Sequence, residues 1–241
     1  MIRYRLQQIF IVCILSFLFD NTILPQDVDI KSNSYFYPHR SGPGIFTNTL
    51  GLRLASLPED IVESDDVFRA PLFSYRAKIG LSRNFLAEGS IETNLITLHI
   101  ALGPKWIHEF GKLNISAGTD GAYFLGALNQ FDFRSKINGW FVYPNLSIGY
   151  LFPRFSVTLK SELILLLDET VKTGNVEVTS DFKTLSGYSF TLYLEQPLWK
   201  DNFVVLGIKT SFTKFYYPAW ITFSTFDRFF FIPELLLSFN L

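Results

Sequence analysis

Phe229 to Leu241 reads FFFIPELLLSFNL. Side chains of an extended chain alternate sides with period two. Phe229, Phe231, Pro233, Leu235, Leu237, Phe239 and Leu241 therefore share one face, and Phe230, Ile232, Glu234, Leu236, Ser238 and Asn240 share the other. The first face is wholly apolar and the second is mixed. A soluble sheet seldom leaves such a strand at an edge, where it templates aggregation. A closed membrane barrel removes the hazard, because the strand pairs with the first one and turns its apolar face to lipid.

The rest of the chain supports a transmembrane, antiparallel, up-and-down β-barrel. With 26 Phe against 1 Met, and no long Ala/Glu/Lys runs, the composition suits strands rather than helices. A length of 241 residues without a dividing linker fits one large β domain. The net charge of −1 gives no electrostatic reason to expect nucleic acid as a partner. Cys13 is the single cysteine, so disulfides, cysteine-ligated zinc and thiol catalysis are excluded downstream of it. Arg3 and Arg5 followed by the apolar Ile9 to Phe19 have the shape of a secretory signal. That apolar run is too short for a spanning helix, which needs roughly 20 residues. Val12 before Cys13 is bulky where a lipoprotein signal has a small residue. The expected organisation is a signal peptide over 1–26, an irregular periplasmic lead-in over 27–44 and an outer-membrane barrel over 45–241.

The lead-in is punctuated by Pro25, Pro38, Gly42 and Pro43. Two readings are open for its Tyr35, Phe36 and Tyr37: tucked into the barrel end, or part of a loose tail. Ten strand-like segments follow, and counts of eight or twelve are the alternatives. The first opposes Leu50, Leu52 and Leu54 to Gly51 and Arg53, and the second opposes Phe73, Tyr75, Ala77, Ile79 and Leu81 to Arg76 and Lys78. The third runs from Phe85 to Glu92, the fourth carries Leu98 and Ile100 against His99, and the fifth is a weak segment from Leu113 to Thr119. The sixth spans Trp140 to Tyr150, the seventh Phe155 to Leu167, the eighth Gly187 to Glu195, the ninth Val204 to Phe212, and the tenth is the closing stretch.

Connections alternate in length. Longer, polar ones are expected near Pro58 to Ala70, Gly126 to Asn138, Asp168 to Thr184 and Thr213 to Arg228, with short ones between them, as in barrels with short periplasmic turns and long outer loops. The link after the third strand, near Thr93 to Leu95, is shorter than that pattern. Gly51, Gly80, Gly103, Gly118, Gly149, Gly187 and Gly207 all fall on the polar faces, where a small barrel's concave wall crowds side chains. Trp106, Trp140, Trp199 and Trp220 divide evenly between the two interfaces, as aromatic girdles do.

The inward faces carry Arg53, Arg76, Lys78, Lys160 and Lys209 against Glu88, Glu92, Glu162, Glu195 and Glu234. The equal balance of sign fits a lumen packed with neutralising ion pairs. The other reading is a narrow, weakly selective pore, since a selective one shows a dominant sign. A Ser-His hydrolase needs histidine beside serine and an orienting group. Of the three histidines, His39 lies in the lead-in and His108 near a periplasmic turn. His99 faces the lumen within reach of Glu88 or Glu92 and is the one candidate pair. Glu59, Glu63, Asp65 and Asp66 make the first long loop acidic, and Asp168, Glu169, Glu177 and Asp181 do so after the seventh strand. No spacing resembles a calcium loop, so no metal or cofactor is expected. The aromatic stretch Lys214 to Arg228 reads first as an extension of the ninth and tenth strands, with a fold over the barrel mouth as the alternative.

The signal, the alternating strands, the loop parity and the C-terminal LLLSFNL together resemble bacterial outer-membrane β-barrel proteins over roughly Gly44 to Leu241. The resemblance implies residence in the bacterial outer membrane. It also implies contact with outer-membrane lipids and lipopolysaccharide, and recognition by the barrel-insertion machinery, although the last residue is Leu where Phe is commoner. No subfamily motif carries over residue by residue. The resulting functional expectation is a non-enzymatic barrel, structural or binding an unknown protein or glycan through its outer loops. A small diffusion channel is the alternative, and a lipid-modifying enzyme the third reading.

Overall fold

Each expected alternating segment forms a strand in the computed structural model, which describes residues 30–58, 69–130, 133–174, 176–179, 185–199, 202–220 and 228–241. The expected signal over 1–26, the acidic residues Glu59, Glu63, Asp65, Asp66 and Asp181, and Phe223 and Phe226 lie outside those residues. After one helical turn, α1 (Ile30–Asn33), the strands are β1 (Phe46–Ser56), β2 (Arg69–Ser82), β3 (Phe85–Thr93), β4 (Thr97–Phe110), β5 (Leu113–Gln130), β6 (Phe133–Leu151), β7 (Ser156–Thr173), β8 (Val176–Thr179), β9 (Leu185–Trp199), β10 (Asn202–Thr213) and β11 (Phe230–Asn240).

Neighbours pair antiparallel all the way round. β11 meets β10 on one side and β1 on the other, with Leu52 opposite Leu237, and β6–β7 pairing completes the ring. β8 pairs with β7 alone, so the closed barrel has ten strands. The closing strand thus loses its edge on both sides. Along it the facing is sharp: Leu235 is 56% exposed and Glu234 only 2%. Leu50, Phe73, Leu102, Trp140, Leu163, Leu192 and Ile208 extend the same apolar exterior round the ring. The end where β1 begins and β11 finishes is called here the inner end, and the opposite one the outer end.

The inward glycines answer to crowding between neighbouring strands. A Cβ at Gly103 would fall on the carbonyl of Thr119 and on Asp120, and one at Gly187 on the carbonyl of Phe212. A side chain at either position would force the ladder apart, which a tightly curved wall does not allow.

Several expectations are corrected. β5 does not stop at Thr119 but runs to Gln130, and β6 starts at Phe133, so the expected loop from Gly126 to Asn138 is a β ribbon. β7 likewise runs to Thr173 and continues into β8, which takes up much of the expected loop from Asp168 to Thr184. Beyond the apolar band nothing demands lipid-facing hydrophobes, so the alternation fades while backbone pairing goes on. The link at Asn94 to Ile96 is short, as expected, and is pinned by the Asn94 Oδ1, which accepts from the N–H groups of Ile96 and Thr97 at 3.0 and 2.7 Å. Trp140 and Trp106 sit on the exterior toward opposite ends, but Trp220 is buried in the outer mouth and joins no girdle. Lys214 to Trp220 does not extend the strands. It turns inward through a short 3-10 turn, Tyr217–Ala219.

Candidate functional site

The lumen holds three layers, each built by a different part of the chain. At the inner end the lead-in enters the barrel, which decides between its two readings. Glu195 on β9 accepts hydrogen bonds from the backbone N–H groups of Tyr35 at 2.7 Å, Phe36 at 2.9 Å and Tyr37 at 2.7 Å. Lys78 on β2 donates to the carbonyls of Ser34 and Tyr35 at 3.0 and 2.8 Å. The Phe36 ring stacks on Tyr193, with centroids 3.9 Å apart and planes 12° apart. Tyr37 is fully buried, and its hydroxyl donates to the carbonyl of Lys112 in the β4–β5 turn. Glu109 ties down the flanks, accepting from Lys31 Nζ at 3.0 Å and from the Arg40 N–H at 2.9 Å. Burial drives the His39 imidazole well below its ordinary range, with nearby Lys78 adding to the effect, and burial pushes the Tyr37 phenol up to about 12.

The middle layer is ionic. Arg53 on β1 bonds Glu92 and also meets Glu234 Oε2 at 3.3 Å, while Arg76 donates to the other Glu92 oxygen at 2.6 Å. Lys160 and Lys209 flank Glu162 at 2.8 and 3.7 Å. Lys105 donates to Asp120 Oδ1 at 2.6 Å and to Asn145 at 3.0 Å. Two voids lie in this region, of about 80 and about 40 Å³, and Glu88 and Lys160 border both. Each has room for only a few waters.

The outer layer is aromatic. Phe215 and Trp220 pack against Ala122, Phe124, Ile137, Phe141, Ile164 and Leu166. Tyr217 reaches deepest: its hydroxyl donates to Glu92 Oε2 at 2.6 Å and accepts from Arg53 at 3.2 Å, and its ring stacks on His99 with centroids 4.5 Å apart. Asn94 in the β3–β4 link donates to the carbonyl of Pro218 at 2.9 Å and holds the turn in place.

The structure places Arg53, Arg76, Lys78, Glu88, Glu92, His99, Lys160, Glu162, Glu195, Lys209 and Glu234 where each lines a void or bonds a group inside the ring. They do not form one cluster. Glu195 and Lys78 hold the lead-in, and the others form the ionic layer. Of the two expected partners of His99, Glu92 approaches its Nδ1 at 4.0 Å, and the other ring nitrogen contacts the Tyr143 hydroxyl at 3.2 Å. Lys105 and Asp120 are buried lumen residues absent from the expected set. Lys105 could have been found by continuing the β4 parity past Gly103. Asp120 follows from not ending β5 at Thr119. Among the described residues no group of three metal-ligating side chains converges.

No protein-family model matches the chain, and no curated protein is similar to it in sequence. Among solved structures, the translocator domain of the autotransporter NalP from Neisseria meningitidis is 10% identical, with a TM-score of 0.47 over 84% of this chain and 90% of that one. The outer membrane phospholipase A from Escherichia coli is 13% identical, with a TM-score of 0.37 over 92% and 95%. The KdgM porin is 7% identical, with a TM-score of 0.39 over 80% and 97%. The membrane assignment rests on the molecule itself. A closed ring with an apolar exterior and a charged interior has the architecture of an outer-membrane β-barrel, and each of the ten strands of the ring is paired on both sides, so none exposes an edge to lipid.

Proposed function

We propose that this chain is a non-conducting, non-enzymatic barrel of the bacterial outer membrane, with its inner end in the periplasm and a structural or interaction role carried by its outer rim. The observation that carries the reading is the double closure of the lumen, by Tyr35 to His39 at one end and Phe215 to Trp220 at the other. The ionic layer between them is largely self-neutralising, and His99 sits behind the aromatic layer, away from any lipid substrate. In that membrane the leucine-rich exterior contacts lipid and the outer rim meets lipopolysaccharide. The insertion machinery reads β11 during assembly, and a protein or glycan partner engages the outer rim. Refolded protein in a planar bilayer is expected to give no steady single-channel openings. Steady openings would replace this reading with a small, weakly selective channel, which the shared border of the two voids at Glu88 and Lys160 favours as the second reading.

A further inference from the structure

Lys78 and Glu195 stand apart from the ion pairs of the middle layer. Both are buried, yet among the described residues neither lies within ion-pair distance of an opposite side chain. They sit on β2 and β9, which are separated around the ring by β1, β11 and β10. What joins them is peptide backbone: three successive N–H groups point at the Glu195 carboxylate, and two successive carbonyls receive the Lys78 ammonium. Charge-assisted bonds of this kind are about twice as strong as neutral ones. N–H and C=O groups are common to nearly all residues, so these bonds select a bent main chain, whose successive N–H groups converge on one carboxylate, and not a sequence. The side-chain selectivity rests on Phe36, which lies flat on Tyr193 with the Arg76 guanidinium 5.8 Å from its centroid. A void of about 40 Å³ borders Tyr35 to His39.

We propose that the inner half of the lumen is a binding site for a bent peptide segment bearing an aromatic residue, occupied in this structure by the chain's own Ser34 to Tyr37, and that the same segment supplied in trans exchanges with it. The proposal rests on the closed-lumen reading only in that the resident segment is also the inner closure. A resident tethered through the short stretch Arg40 to Ile45 competes at an effective concentration on the order of millimolar. Uptake of free peptide by the wild-type chain is therefore weak, and it rises when the resident's own hold is loosened.

The test uses the full chain refolded in detergent and a fluorescein-labelled synthetic peptide of residues 31–41, read by anisotropy, with heat-modifiable gel mobility confirming the barrel. Phe36→Ala in the chain removes the stacking on Tyr193 and is expected to tighten peptide uptake about tenfold. Phe36→Ala in the peptide is expected to weaken it about tenfold. If the chain variant folds and takes up no peptide, or takes both peptides equally, the proposal is wrong. Should the variant not fold, hydrogen exchange of the Tyr35 to Tyr37 amides in the wild-type chain decides: excess peptide accelerates it if exchange occurs, and unchanged rates overturn the site. Conductance of the same preparation separates the two readings. Openings that the peptide blocks keep the site and retire the closed lumen, whereas a silent bilayer with no uptake does the reverse.

Discussion

The Tyr217 hydroxyl donates to Glu92 Oε2 at 2.6 Å although the two residues lie 125 positions apart, so the outer closure is anchored in the ionic layer itself. Glu92 also takes Arg53 and Arg76, and one carboxylate thus holds two cations and the turn that covers them. Removing the hydroxyl alone, in Tyr217→Phe, costs about 1 to 2 kcal/mol of closure, because Arg53 and Glu92 keep each other. Glu92→Gln leaves Arg53 and Arg76 short of a counter-charge and costs about 3 to 5 kcal/mol. Urea midpoints of the heat-modifiable band are expected to fall in that order, and equal midpoints would sink the coupling.

Each closure also leans on a glycine. A Cβ at Gly149 would approach Pro38 Cδ and Tyr37 Cδ2 at 2.5 and 2.7 Å, and one at Gly126 would collide with the Trp220 indole. Gly149→Val should therefore expel the lead-in, and Gly126→Val the aromatic turn. Two closures in series mean that either variant alone stays silent in a bilayer and the double variant conducts. Conduction by one single variant would show that its partner closure does not seal.

The lipid-facing assignment predicts an insertion defect. Leu192 is exposed on the exterior of β9, and Leu98 shares the outward parity of Ile100 on β4. An arginine at either position costs roughly 2 to 4 kcal/mol near the bilayer midplane. Leu98→Arg and Leu192→Arg should lower the inserted fraction in a refolding assay with vesicles, and unchanged insertion would mean that the faces are reversed.

Docking of the lead-in should depend on pH through His39. Its imidazole pKa lies well below the ordinary 6.5 because it is buried near Lys78 and Lys31, although its bond with the Tyr37 carbonyl works the other way. The docked state therefore favours the neutral ring. Above about pH 6.5 both docked and released states are neutral and docking is at full strength. Below it the released state takes a proton first, so docking weakens by up to about tenfold per pH unit until the docked pKa is reached. Protection factors of the Tyr35 to Tyr37 amides at pH 7.5 and 5.5 would read the effect, and His39→Gln should flatten it.

Period-two alternation made the barrel legible wherever lipid lies outside and charge inside. The facing of Leu235 and Glu234, or of Ile100 and His99, follows from parity alone. Where that contrast fades, so does the signal: Ala127, Leu128 and Asn129 continue β5 with no apolar demand on one side. The inward charges were legible, but not their division of labour. Nothing in the types Lys78 and Glu195 separates them from Arg53 and Glu92, because their partners are backbone groups of the lead-in, contributed 160 positions away in the case of Tyr35 and Glu195. The aromatic run from Phe215 to Trp220 was visible as a composition. Its inward turn depends on Glu92 of β3 and on Asn94 in the link that follows it.

The ribbon of β5 and β6 makes the rim uneven. Register carries Thr93, at the outer end of β3, across Leu98 to Leu125, and β5 then runs on to Gln130. Those five further positions amount to about 17 Å along the strand. Among the described residues the rim therefore has a tall side, at the β5–β6 ribbon, and a low side, at Asn94. On the proposed orientation, and among the described residues, a large particle approaching the outer end meets the β5–β6 ribbon before it reaches the level of Asn94.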